Sequence, residues 1–228
     1  MSSFLFSCEN ATYAVPGEHA GLFSGQSELL SSAAGWEPGA LNLAQACAMR
    51  FRTPLVDGET SRLLVDVEKP KEECWSVFSE GLDDAEKRRL VERYWQSYRT
   101  RLHRRIRGDL DRHGMVFHIL IHSDSDQREH IRLETPKNSM LATDLARIWL
   151  ESIRKNDLRC SHQEGSGGDD MSRELAEAYD PSCYAQVRLS VHQDFFLMGM
   201  PWRWDTIKKH LLDSLAMSAQ RVEAAVHH

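Results

Sequence analysis

The sequence predicts an α/β domain built around a mostly parallel sheet. Short apolar runs alternate along the chain with segments in which apolar residues recur at helical spacing, as in strands joined by crossover helices. Of the 228 residues, 41% are hydrophobic and 27% are charged, which is typical of a globular protein with a large core. No repeat or linker divides the sequence, so we predict one domain over residues 1–228.

The N-terminal part of the chain is predicted to contain a strand, a turn-rich segment, a helix and a second strand. The apolar run Leu5–Cys8 predicts a buried strand, and the Gly- and Pro-containing segment 16–35 predicts turns. Trp36–Gly39 predicts the start of a helix, because apolar residues recur every three or four positions after it. The β-rich run Arg62–Val67 is bounded by Gly and Pro and is predicted to be the second strand.

The longest helical pattern covers residues 83–112. It begins with acidic residues and ends in arginines before Gly114, as the helix dipole favours, and we interpret the arginines as a solvated face. Met115–Ile121 predicts a buried strand, residues 138–155 a helix, and the polar stretch Arg159–Asp170 a mobile loop. The remaining predicted elements are a helix, a strand and a helix, at Ser172–Ala178, Tyr184–Val191 and Asp205–Ala225.

Charge and composition argue against several classes of protein. The chain has 28 basic and 34 acidic residues, a net charge of −6, which argues against a nucleic-acid partner. No apolar run approaches the roughly 18 residues that span a membrane, and the first residues lack the basic region of a secretory signal. The five scattered cysteines include no CxxC pair, which favours reduced thiols. We therefore expect a cytoplasmic protein with no nucleic-acid or membrane partner.

Polar residues cluster at the ends of three predicted strands. The clusters are Cys8–Asn10, Asp66–Lys69 and His122–Asp124. Because ligands of open α/β sheets bind at the carboxyl ends of strands, we expect the three clusters to meet in one site.

Two histidines flank the end of the Met115–Ile121 run. In a strand, His118 and His122 would lie about 13 Å apart, so they cannot bind the same metal ion while the strand continues. We interpret His118 as a hydrogen-bonded core residue. His122, beside Ser and Asp at the strand end, is either a zinc ligand or a capping or structural histidine.

A series of motifs in a fixed order resembles one known family. The motifs are Ser7–Thr12 with Val15–Pro16, Glu37–Ala40, Pro54–Val56, Ser61–Asp66, His118–Ser123 and Tyr184–Gln193. Together they resemble the N-formylglutamate amidohydrolase family over nearly the whole chain. The resemblance implies a three-layer α/β sandwich, phosphorylase/hydrolase-like and similar in fold to zinc carboxypeptidases and aspartoacylases.

The resemblance also implies a chemistry and a set of site residues. Family members are expected to use zinc to activate water against the amide bond of an N-formyl or N-acyl amino acid, a small-molecule substrate. Carboxylates would move protons, and arginines would hold substrate carboxylates. The residues expected by resemblance are Glu9 and Glu37 as catalytic, His122 as metal ligand, and Arg62, Asp66, Ser123 and Arg128 as substrate-binding. Two further candidates lie beside these motif residues: Asp124 as catalytic and Asn10 as substrate-binding.

The sequence departs from the family pattern at three places. Asn10 replaces a histidine, Glu68-Lys69 replaces an Asn-Arg pair, and Arg188 and Ser190 replace two glutamates of the late strand. An amide is a poor zinc ligand, and lysine lacks the planar fork of arginine.

Two explanations of these departures stay open. In the first, the chain is a divergent hydrolase in which His162 or His192 replaces the missing histidine and Asp124 or Glu164 acts as base. In the second, the chain is a catalytically degenerate family member that binds an acidic metabolite or a protein partner. A family fold with an unrelated surface function is a third interpretation.

Overall fold

One sheet organises the part of the chain that the structure describes. The computed structural model describes residues 2–154, 158–165, 169–197 and 201–226. Within these ranges there are six strands: β1 Ser3–Cys8, β2 Leu55–Asp57, β3 Val116–Asp124, β4 Ile131–Thr135, β5 Cys160–Glu164 and β6 Tyr184–His192. Their order is β2-β1-β3-β6-β4-β5. All neighbouring pairs are parallel except β4 with β6, which confirms the predicted α/β class and mostly parallel sheet.

Helices cover both faces of this sheet. The described helices are α1 Ser27–Ser31, α2 Ala40–Phe51, α3 Asp84–Leu90, α4 Ser97–His113, α5 Met140–Ile153, α6 Asp170–Ala178, α7 Asp194–Leu197 and α8 Pro201–Val226. A 3-10 helix at Gly17–Phe23 precedes α1, and a π-helical stretch at Val91–Gln96 joins α3 to α4. Helix α3, the π-helical stretch and helix α4 form one long helical run close to the predicted 83–112. It begins at Asp83, whose carboxylate accepts hydrogen bonds from the amides of Ala85 and Glu86.

The side chains of successive strand residues point into two different hydrophobic cores. Phe6 and Phe117 pack with α2, α5 and α8 on one face, while Leu5 and Val116 pack with α4 and α6 on the other. This follows from the period of two in a strand, and both faces are apolar because both are covered by helices. The arrangement confirms the expected three-layer sandwich. None of the described helices is both long and apolar enough to span a bilayer.

The prediction of a strand at Arg62–Val67 is wrong. These residues form turns, with the amides of Leu64 and Val65 bonded to the carbonyl of Ser61. The two apolar side chains are buried in a local cluster against Leu90 and its neighbours in the long helical run, and this burial, not sheet pairing, explains their apolar character. The edge strand beside β1 is β2, which lies just upstream of this segment in the chain.

The prediction of a loop at Arg159–Asp170 is also wrong in part. Cys160–Glu164 forms β5, a parallel edge strand beside β4, although its sequence is polar. An edge strand with one half-solvated face carries no clear apolar alternation, so the pattern gave no signal. Residues 166–168 of the predicted loop lie outside the described residues. The antiparallel strand β4 was not predicted.

Candidate metal centre

Four buried acidic and imidazole side chains meet at the carboxyl ends of β1 and β3. Glu9 follows β1, His122 lies near the end of β3, Glu37 precedes α2, and Glu68 lies in the irregular segment after β2. Each is at most 6% exposed. One ligand atom each of Glu9, Glu68 and His122 lies within 4.8 Å of the other two. The expected gathering of the three polar clusters is thus seen around His122.

Glu37 holds the imidazole of His122. The Nδ1 atom lies 3.2 and 3.0 Å from the two carboxylate oxygens of Glu37, which also accepts from the amide of Ser123. The other ring nitrogen, Nε2, lies 3.3 Å from Oε2 of Glu9 and 3.8 Å from Oε1 of Glu68. A histidine whose one nitrogen is held by a carboxylate while the other faces further ligands is the usual arrangement at metal sites.

The two atoms that face each other in this cluster make no hydrogen bond within the described part of the chain. Among the described residues, neither His122 Nε2 nor Glu9 Oε2 makes a hydrogen bond, although both are buried. Buried polar atoms without partners are costly and call for an explanation. A divalent cation would satisfy both atoms, and imidazole nitrogen with carboxylate oxygens is a ligand set that zinc accepts. The residues present therefore fit a metal ion.

The charges in the cluster depend on one another. Burial would lower the pKa of His122, yet the carboxylates of Glu37 and Glu68 outweigh burial and raise that pKa to about 9. Burial raises the pKa of Glu9. Burial would also raise the pKa values of Glu37 and Glu68, but the nearby cations His122 and Arg188 reverse the effect and lower both. Without a metal ion, the protonated imidazole and the guanidinium balance this acidic group.

One residue from each of the three departures from the family pattern takes part in a single hydrogen-bond network. The amide Nδ2 of Asn10 donates to Glu68 Oε2 at 2.6 Å and to Glu37 Oε1 at 3.1 Å. The guanidinium of Arg188 donates to Glu68 Oε1 at 3.2 Å and also pairs with Asp169. Asn10 and Arg188 are therefore linked through Glu68.

Two helices donate hydrogen bonds to the backbone around Glu68 and position this residue. Arg99 of α4 donates to the carbonyls of Val67 and Lys69 at 3.1 and 3.2 Å, on either side of Glu68. The carbonyl of Glu68 itself accepts from the amide of Met171 in α6. The amide of Glu68 donates to the carboxylate of Asp66, so Asp66 shapes this turn. Burial raises the pKa of Asp66 to about 6.

Arg62 and Ser123 lie beside the cluster and hold the chain around Glu37. Arg62 NH1 is 3.7 Å from Glu37 Oε1, and its guanidinium also donates to the carbonyls of Ala33 and Ala34. The hydroxyl of Ser123 donates to the carbonyl of Pro38 at 2.7 Å. The structure therefore brings together seven of the residues expected from sequence. They are Glu9, Asn10, Glu37, Arg62, Asp66, His122 and Ser123.

The remaining expected residues lie outside the group of ligand atoms. The carboxylate of Asp124 pairs with Arg132 at 3.1 Å. Arg128 is exposed on the loop after β3. Of the alternative ligands, His162 Nε2 lies 2.9 Å from the hydroxyl of Thr135, and His192 pairs with Asp194. Glu164 is exposed at the end of β5.

Three residues contribute in ways that the sequence did not predict. Glu68 lay in the predicted cluster Asp66–Lys69, but Glu68 and Arg188 were both interpreted as replacements of family chemistry. Tyr98 of α4 donates its hydroxyl to Glu9 Oε1 at 2.6 Å, and only its place on the buried face of a predicted helix hinted at it. His118, as expected, is a hydrogen-bonded core residue, with Tyr184 and Ser7 as partners.

Comparison with known proteins gives a family and two similar structures. The sequence model of the N-formylglutamate amidohydrolase family matches residues 2–193. The gene product Atu2144 from Agrobacterium tumefaciens has a TM-score of 0.79 and 21% identity, covering 97% of this chain and 92% of that one. The N-formylglutamate amidohydrolase from Ralstonia eutropha JMP134 has a TM-score of 0.66 and 14% identity, covering 99% and 96%. No curated protein matches the chain. The structural similarities, at these identities, show the fold.

Proposed function

The chain belongs to the N-formylglutamate amidohydrolase family, and from this premise we propose that it hydrolyses the C–N amide bond of an N-formyl or N-acyl amino acid with zinc. The observation that most supports a metal ion is that two buried atoms, His122 Nε2 and Glu9 Oε2, make no hydrogen bond to any described residue. Family membership supports an amidohydrolase-like activity on a small molecule. The five free cysteines suit a reducing, cytoplasmic compartment.

In this proposal Glu9, Glu68 and His122 hold the ion. Glu37 orients the imidazole through Nδ1, and Tyr98 holds one oxygen of Glu9 so that the other faces the ion. Zinc bound there would lower the pKa of a water molecule to about 7 and would polarise the substrate carbonyl.

A carboxylate must accept the proton from the attacking water. We assign this step to Asp124, which lies two residues beyond His122 on β3. Its side chain therefore points from the same face of the strand as that of His122. Water oxygen bonds to the carbonyl carbon, Asp124 takes the proton, and the proton then passes to the nitrogen as the C–N bond breaks. Arg132 would hold the Asp124 carboxylate in place.

Substrate binding falls to the polar residues around the cluster. Arg128 is exposed beside the end of β3 and is suited to pair with a substrate carboxylate. The side of the site next to Glu37 would be formed by Asn10, Arg62 and Ser123, all of which contact Glu37. Asp66 would hold the turn at Glu68 by accepting from its amide.

A binding protein on the same fold is the second candidate. It is favoured by one observation: both oxygens of Glu68 already accept hydrogen bonds from Asn10 and Arg188. In that case the chain itself supplies the hydrogen bonds of Glu68, and the site would bind an acidic metabolite or a protein partner without catalysis.

The deciding measurement is the zinc content of protein purified without chelator. We expect about one zinc per chain, loss of zinc in His122→Ala, and retention in the matched variant His162→Ala, whose histidine lies outside the cluster. Formate or carboxylate release from N-formyl and N-acyl amino acids would then identify the substrate. Absence of zinc even after zinc is added back would overturn the hydrolase and favour the binding protein.

A further inference from the structure

Arg188 lies against the carboxylate that would be the third metal ligand. Its NH1 atom is 3.2 Å from Glu68 Oε1 and pairs with Asp169, and its Nε atom is 3.7 Å from Glu134 Oε2. The side chain is 18% exposed, so water screens these contacts only in part. The guanidinium of Arg188 is thus in contact with three carboxylates.

The three candidate ligand residues of the cluster differ in the hydrogen bonds that their facing atoms already make. Glu9 Oε2 and His122 Nε2 have no hydrogen-bond partner among the described residues. Glu68, in contrast, accepts from Arg188 at one oxygen and from Asn10 at the other. A divalent cation would therefore meet two atoms that make no hydrogen bond and one carboxylate already bonded to a cation of the chain.

We propose that Arg188 competes with a divalent metal ion for Glu68 and thereby sets how tightly this chain holds the ion. The inference rests on the proposed function, since it takes Glu9, Glu68 and His122 as the ligands. A guanidinium stays charged at all relevant pH values, so it cannot yield by losing a proton. It must instead move from Glu68 towards Asp169 and Glu134, which it already contacts.

Two substitutions on this network are expected to change zinc affinity in opposite directions. Arg188→Gln removes the competing charge, so zinc should bind about tenfold or more tightly, because two cations close together repel strongly at a buried site. Asp169→Asn removes the nearest alternative partner of Arg188, so zinc should bind more weakly. Asparagine keeps the side-chain oxygen that accepts from the amide of Ser172 at the start of α6, so the cap is retained.

The experiment is calorimetric titration of zinc into the metal-stripped full chain and its variants. Arg188→Lys keeps a cation and should bind zinc within a few-fold of the wild type. Equal or weaker zinc binding in folded Arg188→Gln, or unchanged binding in Asp169→Asn, would overturn the inference and make Arg188 a support for Glu68 instead. Circular dichroism checks folding, and if Arg188→Gln does not fold, Asp169→Asn alone decides.

Failure of this inference can be told from failure of the proposed function. If wild-type zinc binding requires His122 and Glu68, tested with His122→Ala and Glu68→Gln, the metal site stands whatever Arg188 does. If neither the wild type nor Arg188→Gln binds zinc, both fall. If only Arg188→Gln binds zinc, the competition is supported and the wild type fits the non-catalytic binding protein.

Discussion

Glu37 is the residue on which the orientation of the His122 ring depends. Its carboxylate contacts Nδ1 and leaves Nε2 to face the other acids. Glu37→Gln keeps the shape of the side chain and removes its charge. We expect zinc affinity to fall about ten- to hundredfold, the usual effect of losing such a supporting carboxylate. Calorimetry measures this, with Glu164→Gln as the matched control outside the cluster. Equal affinities would show that Glu37 does not support a metal ligand.

His118 should make the folded protein sensitive to acid. Burial lowers the pKa of His118 to about 3, whereas an unfolded histidine has a pKa of about 6.5. Between these values the unfolded chain binds a proton that the folded chain does not. The contribution is present above pH 6.5 and is lost as pH falls towards 3, with a slope of up to about 1.4 kcal/mol per pH unit.

The variant His118→Gln tests this acid sensitivity. Glutamine keeps a donor and an acceptor for Ser7 and Tyr184 but does not titrate in this range. Urea unfolding at pH 7, 6, 5 and 4 should show a shallower decline for the variant than for the wild type. Parallel declines would mean that other groups cause the acid sensitivity.

At the scale of elements, Gly58 sets how closely the chain after β2 approaches the end of β1. Its amide donates to the carbonyl of Cys8, and a Cβ at this position would lie 1.9 Å from the carbonyl oxygen of Glu9. Gly58→Ala must therefore displace the backbone of Glu9. We expect a loss of about 1–3 kcal/mol in unfolding free energy together with weaker zinc binding.

The matched control is Gly81→Ala, because a Cβ there meets no atom within 4 Å. Thermal unfolding and zinc titration of both variants measure the difference. A Gly58→Ala protein with wild-type stability and zinc affinity would show that the Glu9 backbone can shift without effect.

The predictability of the elements depended on where they lie. Strands β1 and β3 were predicted from short apolar runs, which reflect burial on both faces of the sheet. Strand β6 was predicted because apolar and polar residues alternate along it. The apolar run at Arg62–Val67 was mistaken for a strand because its side chains are buried in a local cluster that periodicity cannot distinguish from a sheet. Edge strand β5 was missed because its sequence is polar.

The site was predictable only where it follows strand ends. Glu9 and His122 were found because ligands gather at the carboxyl ends of strands, and Glu37 because its motif resembles the family's. The contacts of Glu68 with Asn10 and Arg188 were not found, since they join residues that are far apart in the sequence. Such pairing depends on the tertiary structure, so the sequence showed the replacements and not their mutual contact.

At the scale of the whole molecule, the cluster joins segments that lie far apart in the chain. A ligand that binds only this assembled arrangement must stabilise the folded state. Zinc at one hundred times its dissociation constant should add about 2.7 kcal/mol, or roughly 5–10 °C in Tm for a chain of this size. Differential scanning calorimetry with zinc, and after removal of zinc with EDTA, measures the shift.

His122→Ala serves as the control for this shift. We expect the variant to show none, since it lacks the imidazole ligand. A shift of the same size in the variant would place the stabilising zinc at another site.

The hydrogen bonds from Arg99 and Met171 that position Glu68 have a consequence for how long a metal ion would stay bound. Residues 58–83 contain no helix or strand, so Glu68 lies outside the cooperative hydrogen-bond ladders of the sheet. Its place depends on a few bonds to α4 and α6. Such a segment opens by local fluctuation at a free energy below that of global unfolding. Amide hydrogen exchange would therefore be faster here than in β3, and the frequency of this opening, rather than the stability of the sheet, would limit how long an ion stays bound.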